Sequence, residues 1–364
     1  MKTKAVVSFM SGMLLGAVQA SAESYTFTLF DVRCEIDAIS CPAGLVPGGV
    51  ASQTSARGIN ARGDIVGFYV DDTGTQHGFL RQDGQYTTID FPLAGVRGTI
   101  ANGINARGEI VGQYLLPVNP GVPEDSPLYC PANSPAGGAN PACIKAFHYR
   151  RGSYTTVMFP GHPGAIAQRI TSDGDIYGCI HSHDLGMSMF GGAWRRSIRS
   201  GDVEITATAS LTDDGGQLAD PMGIPMSMNN GGTPGGGEIV VGFFTGMVGP
   251  QRGYLVQDGM LHAYAPTADT NLTAIWDINP RGQFVGTYRK AGEPAARRHG
   301  FVQSADGSAP VTVEVPVTDT SGSTVPALAT VVFGINPRGA VVGQYVAAAG
   351  GALHGFVAFP DSSK

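Results

Sequence analysis

Past residue 22 the apolar positions never hold a helical period; they fall in short runs broken by Gly- and Pro-rich turns, the pattern of strands. The runs recur. Residues 58–69 read Gly-Ile-Asn-Ala-Arg-Gly-Asp-Ile-Val-Gly-Phe-Tyr, residues 103–114 read Gly-Ile-Asn-Ala-Arg-Gly-Glu-Ile-Val-Gly-Gln-Tyr, and residues 334–345 read Gly-Ile-Asn-Pro-Arg-Gly-Ala-Val-Val-Gly-Gln-Tyr. Residues 277–288 keep the pattern with Asp277 for the first Gly, and residues 169–180 are a degenerate copy. A sixth copy, residues 228–244, is stretched by a Gly-rich insertion at 230–237.

Each copy resolves into four short strands. In the first these are expected at 54–60, 64–70, 76–81 and 86–91, the last rich in β-branched and aromatic residues. The first turn is Asn-Ala/Pro-Arg-Gly. Asn and Pro suit the first two positions of a type I turn, and Gly supplies the left-handed residue that closes a bulged hairpin. The repeats run approximately over 54–91, 99–159, 165–209, 222–265, 272–315 and 329–359, and the sixth stops one strand short. A lone strand at 24–30, Tyr-Thr-Phe-Thr-Leu-Phe from Tyr25 onward, resembles the fourth strand of the first copy and can complete it. The expected fold is therefore all-β: a six-bladed β-propeller of four-stranded antiparallel blades, closed by an N-terminal strand completing the C-terminal blade. A period of roughly 45–65 residues suits that unit. Closure also removes exposed strand edges.

Composition adds a compartment. Lys2 and Lys4, the apolar run 6–18 and Ala20-Ser21-Ala22 read as a cleaved signal peptide over residues 1–22, leaving 23–364 as a single propeller domain. The run is too short to span a bilayer, so no membrane insertion is expected after cleavage. The destination is extracellular or periplasmic. A formal charge of −6 gives no footprint for nucleic acid. The five cysteines of an exported chain pair by proximity as Cys34–Cys41 and Cys130–Cys143, leaving Cys179 as a thiol inside a repeat strand, read as a packed side chain. A monomer is expected.

The first-to-second and third-to-fourth turns share one face and are mostly tight. The other face carries nearly all the length variation and both disulfides, so binding is expected there. His77, His299 and His354 head the third strand of three blades; at equivalent positions in different blades they are read as hydrogen-bonding within their own blade, and not as ligands of one metal. Arg62, Arg107, Arg281 and Arg338 recur on the turns and are read as solvated. Residues outside the repeat are the better candidates. His181, His183 and Asp184 enter a longer loop, His162 lies in the preceding connection, and together they are the candidate ligand-binding or metal set. No cofactor is required by any motif. The Gly-x-Ser-x-Gly elbow, the phosphate-binding loop and the His-Glu-x-x-His helix have no match in the chain.

His-Gly-Phe at 77–79, Gly-Gln-Tyr-Thr-Thr-Ile-Asp-Phe-Pro at 84–92 and the copy at 103–114 together resemble the bacterial HAF family of extracellular repeat proteins. The likeness spans nearly the whole mature chain; its third and fourth copies depart most, and the second has Ala146-Phe147 without the His. It implies a bacterial exported protein and brings no catalytic residue. Two functions remain open: a non-enzymatic scaffold binding a glycan, an envelope component or a protein through the loop-rich face, or a secreted hydrolase or polysaccharide lyase with a site there. An enzyme would need titratable groups converging in one pocket.

Overall fold

A computed structural model describes residues 24–35, 40–131, 142–158, 164–181, 189–196, 203–207, 223–229, 239–244, 251–257 and 260–361; parts of the third and fourth sheets are described by backbone alone. The described residues are all-β with no helix, so among them no helix is long and apolar enough to cross a membrane. They form four-stranded antiparallel sheets in a propeller arrangement.

The first sheet runs Gln53–Ile59, Ile65–Val70, Gln76–Gln82 and Gln85–Thr88. The second, third, fourth and fifth open with Thr99–Ile104, Gly164–Ile170, Gly223–Asn229 and Thr270–Ile278 and follow the same order. The sixth has Ala329–Ile335, Val341–Val346 and His354–Pro360, and its fourth strand is Tyr25–Phe30 from the other end of the chain. Tyr25 faces Pro360 and Phe30 faces Gly355, the pairing the unmatched half-repeats predict.

The turn chemistry is as read. Gly63 has φ 94° and its N–H donates to Asn60 O, closing the Asn-Ala-Arg-Gly turn. At the next hairpin Asp83 and Gly84 are both left-handed, a type I′ pair matching the strand twist. Two features differ from expectation. The fourth strand of the first sheet ends at Thr88: Ile89 N still bonds Gly78 O, but the Asp90 carboxylate then takes Gly78 N and His77 Nδ1 in place of a backbone partner. The segment after the fifth sheet also folds a small hairpin of its own, Pro316–Thr318 against Thr324–Pro326.

Apolar packing lies between sheets. Val66 and Ile89 of the first pack on Ile104 and Phe147 of the second; Val285 and Val302 of the fifth pack on Val332 and Phe356 of the sixth. The sixth meets the first through Phe30, Val342 and Val357 against Ile59 and Phe79. The recurrent Gly before the strand-two aromatic has a packing cause. A Cβ on Gly67 would fall 2.8 Å from the Phe79 ring and closer still to Ser55 O, so only Gly lets Phe79 lie flat over the second strand. Both expected disulfides are present, Cys34–Cys41 and Cys130–Cys143.

Candidate functional site

Every first strand carries a bulge one residue before the repeat's first Gly position: the register shifts at Ala56/Gly58, Ala101/Gly103, Ala167/Arg169, Pro225/Ser227, Ile275/Asp277 and Val332/Gly334. A bulge leaves one residue out of the ladder and frees its backbone groups. The freed carbonyls meet the neighbouring first strand. A Cβ on Gly58 would sit 2.9 Å from Asn102 O, which is why Gly is kept where the strands converge.

Three copies abandon that Gly, for Arg169, Ser227 and Asp277, and these three side chains meet. Arg169 Nε lies 3.0 Å from Asp277 Oδ1, and Ser227 Oγ donates to the same oxygen at 2.6 Å. Asp277 also accepts from Ile278 N and, through Oδ2, from Ile335 N, both at 3.0 Å. The Arg169 guanidinium spreads over the freed carbonyls. Nη1 donates to Asn102 O and Gln168 O at 2.8 and 2.7 Å, and Nη2 to Trp276 O and Phe333 O. One cation thus ties together the second, third, fifth and sixth sheets.

Above this ion pair opens a cavity of about 170 Å³, lined from all six first strands. Its walls include Ile59, Ile104, Ile170, Met228, Ile278 and Ile335; its rim carries turn residues such as Ala61, Ala106 and Pro337. It lies at the tight-turn end, opposite the loop-rich face where binding was expected. A shallower concavity on the loop-rich side is formed by Arg252 and residues 263–268.

The turn asparagines frame the cavity and have two jobs. Asn60 Oδ1 accepts Arg62 N and Asp64 N in its own turn, while Nδ2 donates to Asn105 O of the next sheet at 3.1 Å. Asn105 donates likewise to Thr171 O, Asn279 to Asn336 O and Asn336 to Asn60 O. The relay breaks twice. Thr171 holds its own turn through Asp175 N but has no amide to pass on, and Asn229, only 2 % exposed, leaves Nδ2 without a partner among the described residues. Three of the turn arginines, exposed as read, also make bonds across the joints. Arg62 clamps Asp64 at 2.7 Å and reaches Ala106 O; Arg107 clamps Glu109 and reaches Ser172 O; Arg281 reaches Pro337 O.

The His-Gly-Phe histidines do bond within their own sheets. His77 Nδ1 meets Asp90 at 2.6 Å and Nε2 meets Asp71 at 3.3 Å, with the ring stacked on Tyr69. His299 lies between Glu314 and Glu293 at 2.5 and 2.8 Å over Tyr288, and His354 contacts Asp31 at 2.9 Å beside Tyr345. The hydrogen bond to Asp90 holds the His77 pKa above the usual imidazole value, and that to Glu314 does the same for His299. Each His thus pins the end of strand four to strand three. In the second sheet Lys145 takes the register position of His77, opposite Tyr114, and Met158 follows the fourth strand where Asp90 follows it in the first.

Of the sequence-predicted site residues, His162, His183 and Asp184 lie outside the described residues. His181 ends the strand Ile176–His181, facing Gly164 and Met189 in the backbone register, and its side chain is not described. Among the described residues no group of three or more His, Cys, Asp and Glu could hold a metal ion. Cys179 lies outside both disulfides and is buried; burial pushes its thiol up to about 12, the behaviour of a packed side chain. Sequence reasoning missed Arg169, Ser227 and Asp277, although their signal was present: each stands where the other three copies keep Gly58, Gly103 and Gly334.

No protein-family model matches the chain, and no curated protein does. Among solved structures it is similar to a sialidase of Trypanosoma rangeli (TM-score 0.49, 8% identity, 91% of this chain and 59% of that one). It is also similar to TolB from Acinetobacter baumannii (0.43, 13%, 87% and 65%) and to a mutant of the Aleuria aurantia lectin in complex with Fucalpha1-6GlcNAc (0.40, 10%, 86% and 97%). The chain spans less than two thirds of the sialidase and of TolB. At these scores the likeness bears on neither ligand nor activity.

Proposed function

We propose that this chain is an exported binding module, a closed propeller of six blades whose axial pocket at the tight-turn face receives a compact apolar group of its partner. Six blades and closure are supported by the Tyr25–Phe30 strand on the last sheet, by the sixth-to-first apolar packing, and by Asn336 donating across to Asn60 O. Export is supported by two disulfides, which persist in oxidising compartments, and by the signal-like N-terminus. The observation that carries the binding reading is the pocket itself: six first strands converge on one concavity with mainly aliphatic walls and an ion-paired floor. Its carboxylate, Asp277, accepts from Ser227, Ile278 and Ile335 and ion-pairs with Arg169, so it is held as a fixed strut. Among the described residues no aromatic ring lines the pocket, which favours an aliphatic side chain or acyl end over a sugar stacked on a platform.

A ligand-observed NMR screen with small aliphatic and monosaccharide fragments tests this. Aliphatic fragments should bind the wild type and be lost in the rim-blocking variant Ala106→Trp. Sugars as the main hits, or hits indifferent to the rim variant, would overturn the axial site in favour of the loop-rich face.

A further inference from the structure

On the far side of the Arg169–Asp277 pair, the bulge residues of the six first strands are Arg57, Asn102, Gln168, Met226, Trp276 and Phe333. The ring is asymmetric. Polar side chains come from the first three sheets and apolar or aromatic ones from the last three. The apolar half is continuous, since Phe333 packs edge-on to Trp276 at 5.0 Å and Trp276 to Phe243 at 5.2 Å.

Arg57 is the odd member. Its guanidinium lies over the Phe333 ring at 4.0 Å and near Phe68 at 5.2 Å, contacts that hold a planar cation by its face and leave its N–H edge free. Among the described residues no carboxylate pairs with it, and Nε is buried without a partner. Its charged neighbour is Arg169, another cation, which ion-pairs with Asp277 and donates through its Nη groups to four carbonyls. Burial first, and then Arg169, push the Arg57 guanidinium down to about 9. A second unpartnered donor, Trp276 Nε1, is buried on the same ring. Buried donors are ordinarily satisfied, and a buried cation ordinarily has an anion.

We propose that this ring binds a small monocarboxylate, its carboxyl group on the edge of Arg57 and its apolar body toward Phe333 and Met226. The guanidinium fork matches a carboxylate with two parallel hydrogen bonds, an arrangement that a spherical ion or a neutral amide cannot reproduce. The site lies beyond the ion pair that floors the axial pocket, so it stands or falls independently of what that pocket binds.

The test is thermal unfolding of the full chain with propionate, propionamide or inorganic phosphate, ionic strength being held by a bulky sulfonate salt. Propionate should raise Tm saturably, by roughly 5 °C at a hundredfold excess over Kd, and propionamide should not. Arg57→Met should be at least as stable as wild type without propionate, because it removes an unpaired buried charge, and should lose the propionate response. If Arg57→Met does not fold, Arg57→Lys, which keeps the charge without the fork, should bind propionate about tenfold more weakly. A flat response in the wild type, an equal response from propionamide, a stronger one from phosphate, or an undiminished one in the Arg57 variants would each overturn the proposal.

Discussion

Four joints between neighbouring sheets are stitched alike, with a turn Asn donating its amide to the next turn's carbonyl; the joints flanking the fourth sheet are not. At those two joints Thr171 and Asn229 leave the relay open, and the polar linkage moves two residues inward, to Arg169, Ser227 and Asp277. The regular joints teach what a repeat is for: one small residue and one amide per sheet give uniform, local attachment. The irregular joints concentrate the same task in a single ion pair that spans the centre. A neutral, distributed stitch tolerates the loss of one member. A buried charged hub should not.

The largest expected effect follows. Asp277→Ala strands Arg169 and the Ile335 N–H together, and should cost about 3–5 kcal/mol in denaturant unfolding. Combining it with Arg169→Gly should recover much of that, since the two changes remove one interaction, and simple additivity would break the hub picture. Asn105→Ala removes a turn acceptor and a relay donor from a regular joint and should cost less, about 1–3 kcal/mol by the same measurement. Thr171→Asn supplies the missing amide and should stabilise by about 0.5–1.5 kcal/mol; no gain would show that the open joint is not short of a donor.

The smallest effect is electrostatic and separates the His-clamped sheets from the second. His77 and His299 have raised pKa values, so their contribution is present below the ordinary imidazole pKa of about 6.5 and is lost as pH rises through the raised folded values. The hydrogen bond from His299 holds Glu314 below the usual carboxylate range, and that contribution is lost as pH falls through its depressed value. The clamps are therefore strongest in mildly acidic solution. Tm should fall by a degree or two between pH 6 and 9, and the His77→Gln/His299→Gln double variant should flatten that slope. An unchanged slope would assign the pH dependence elsewhere.

The same clamps show how much of a motif was legible. His77-Gly78-Phe79 and Ile89-Asp90 could be seen to recur, and an intra-sheet role for the His could be argued from equivalence alone. That Asp90 is its partner could not, because they sit on different strands and meet only when strand four stops at Thr88. The turn arginines are exposed as read, but their bonds to the adjoining sheet were not legible for a related reason. A charged residue on a turn looks solvated in isolation, yet the adjoining sheet offers Arg62 a carbonyl at Ala106. His162, His183 and Asp184 stand outside the repeat and outside the described residues, whereas the departures that meet at the centre are substitutions within it.

What the sequence alone determined was local and periodic: strand order, Asn-x-x-Gly turns, the recurrence of the Gly beside Phe79, the pairing of the two termini, and both disulfides. These depend on backbone sterics, alternation and spacing, all of which are written along the chain. Tertiary structure alone decided where charge goes. Residues 169, 227 and 277 are far apart in sequence but equivalent within the repeat, and the propeller arrangement converts that equivalence into proximity. Only then does Arg169 find its carboxylate, while Arg57, at the bulge of the first sheet, is left with two aromatic faces and, among the described residues, no anion of its own.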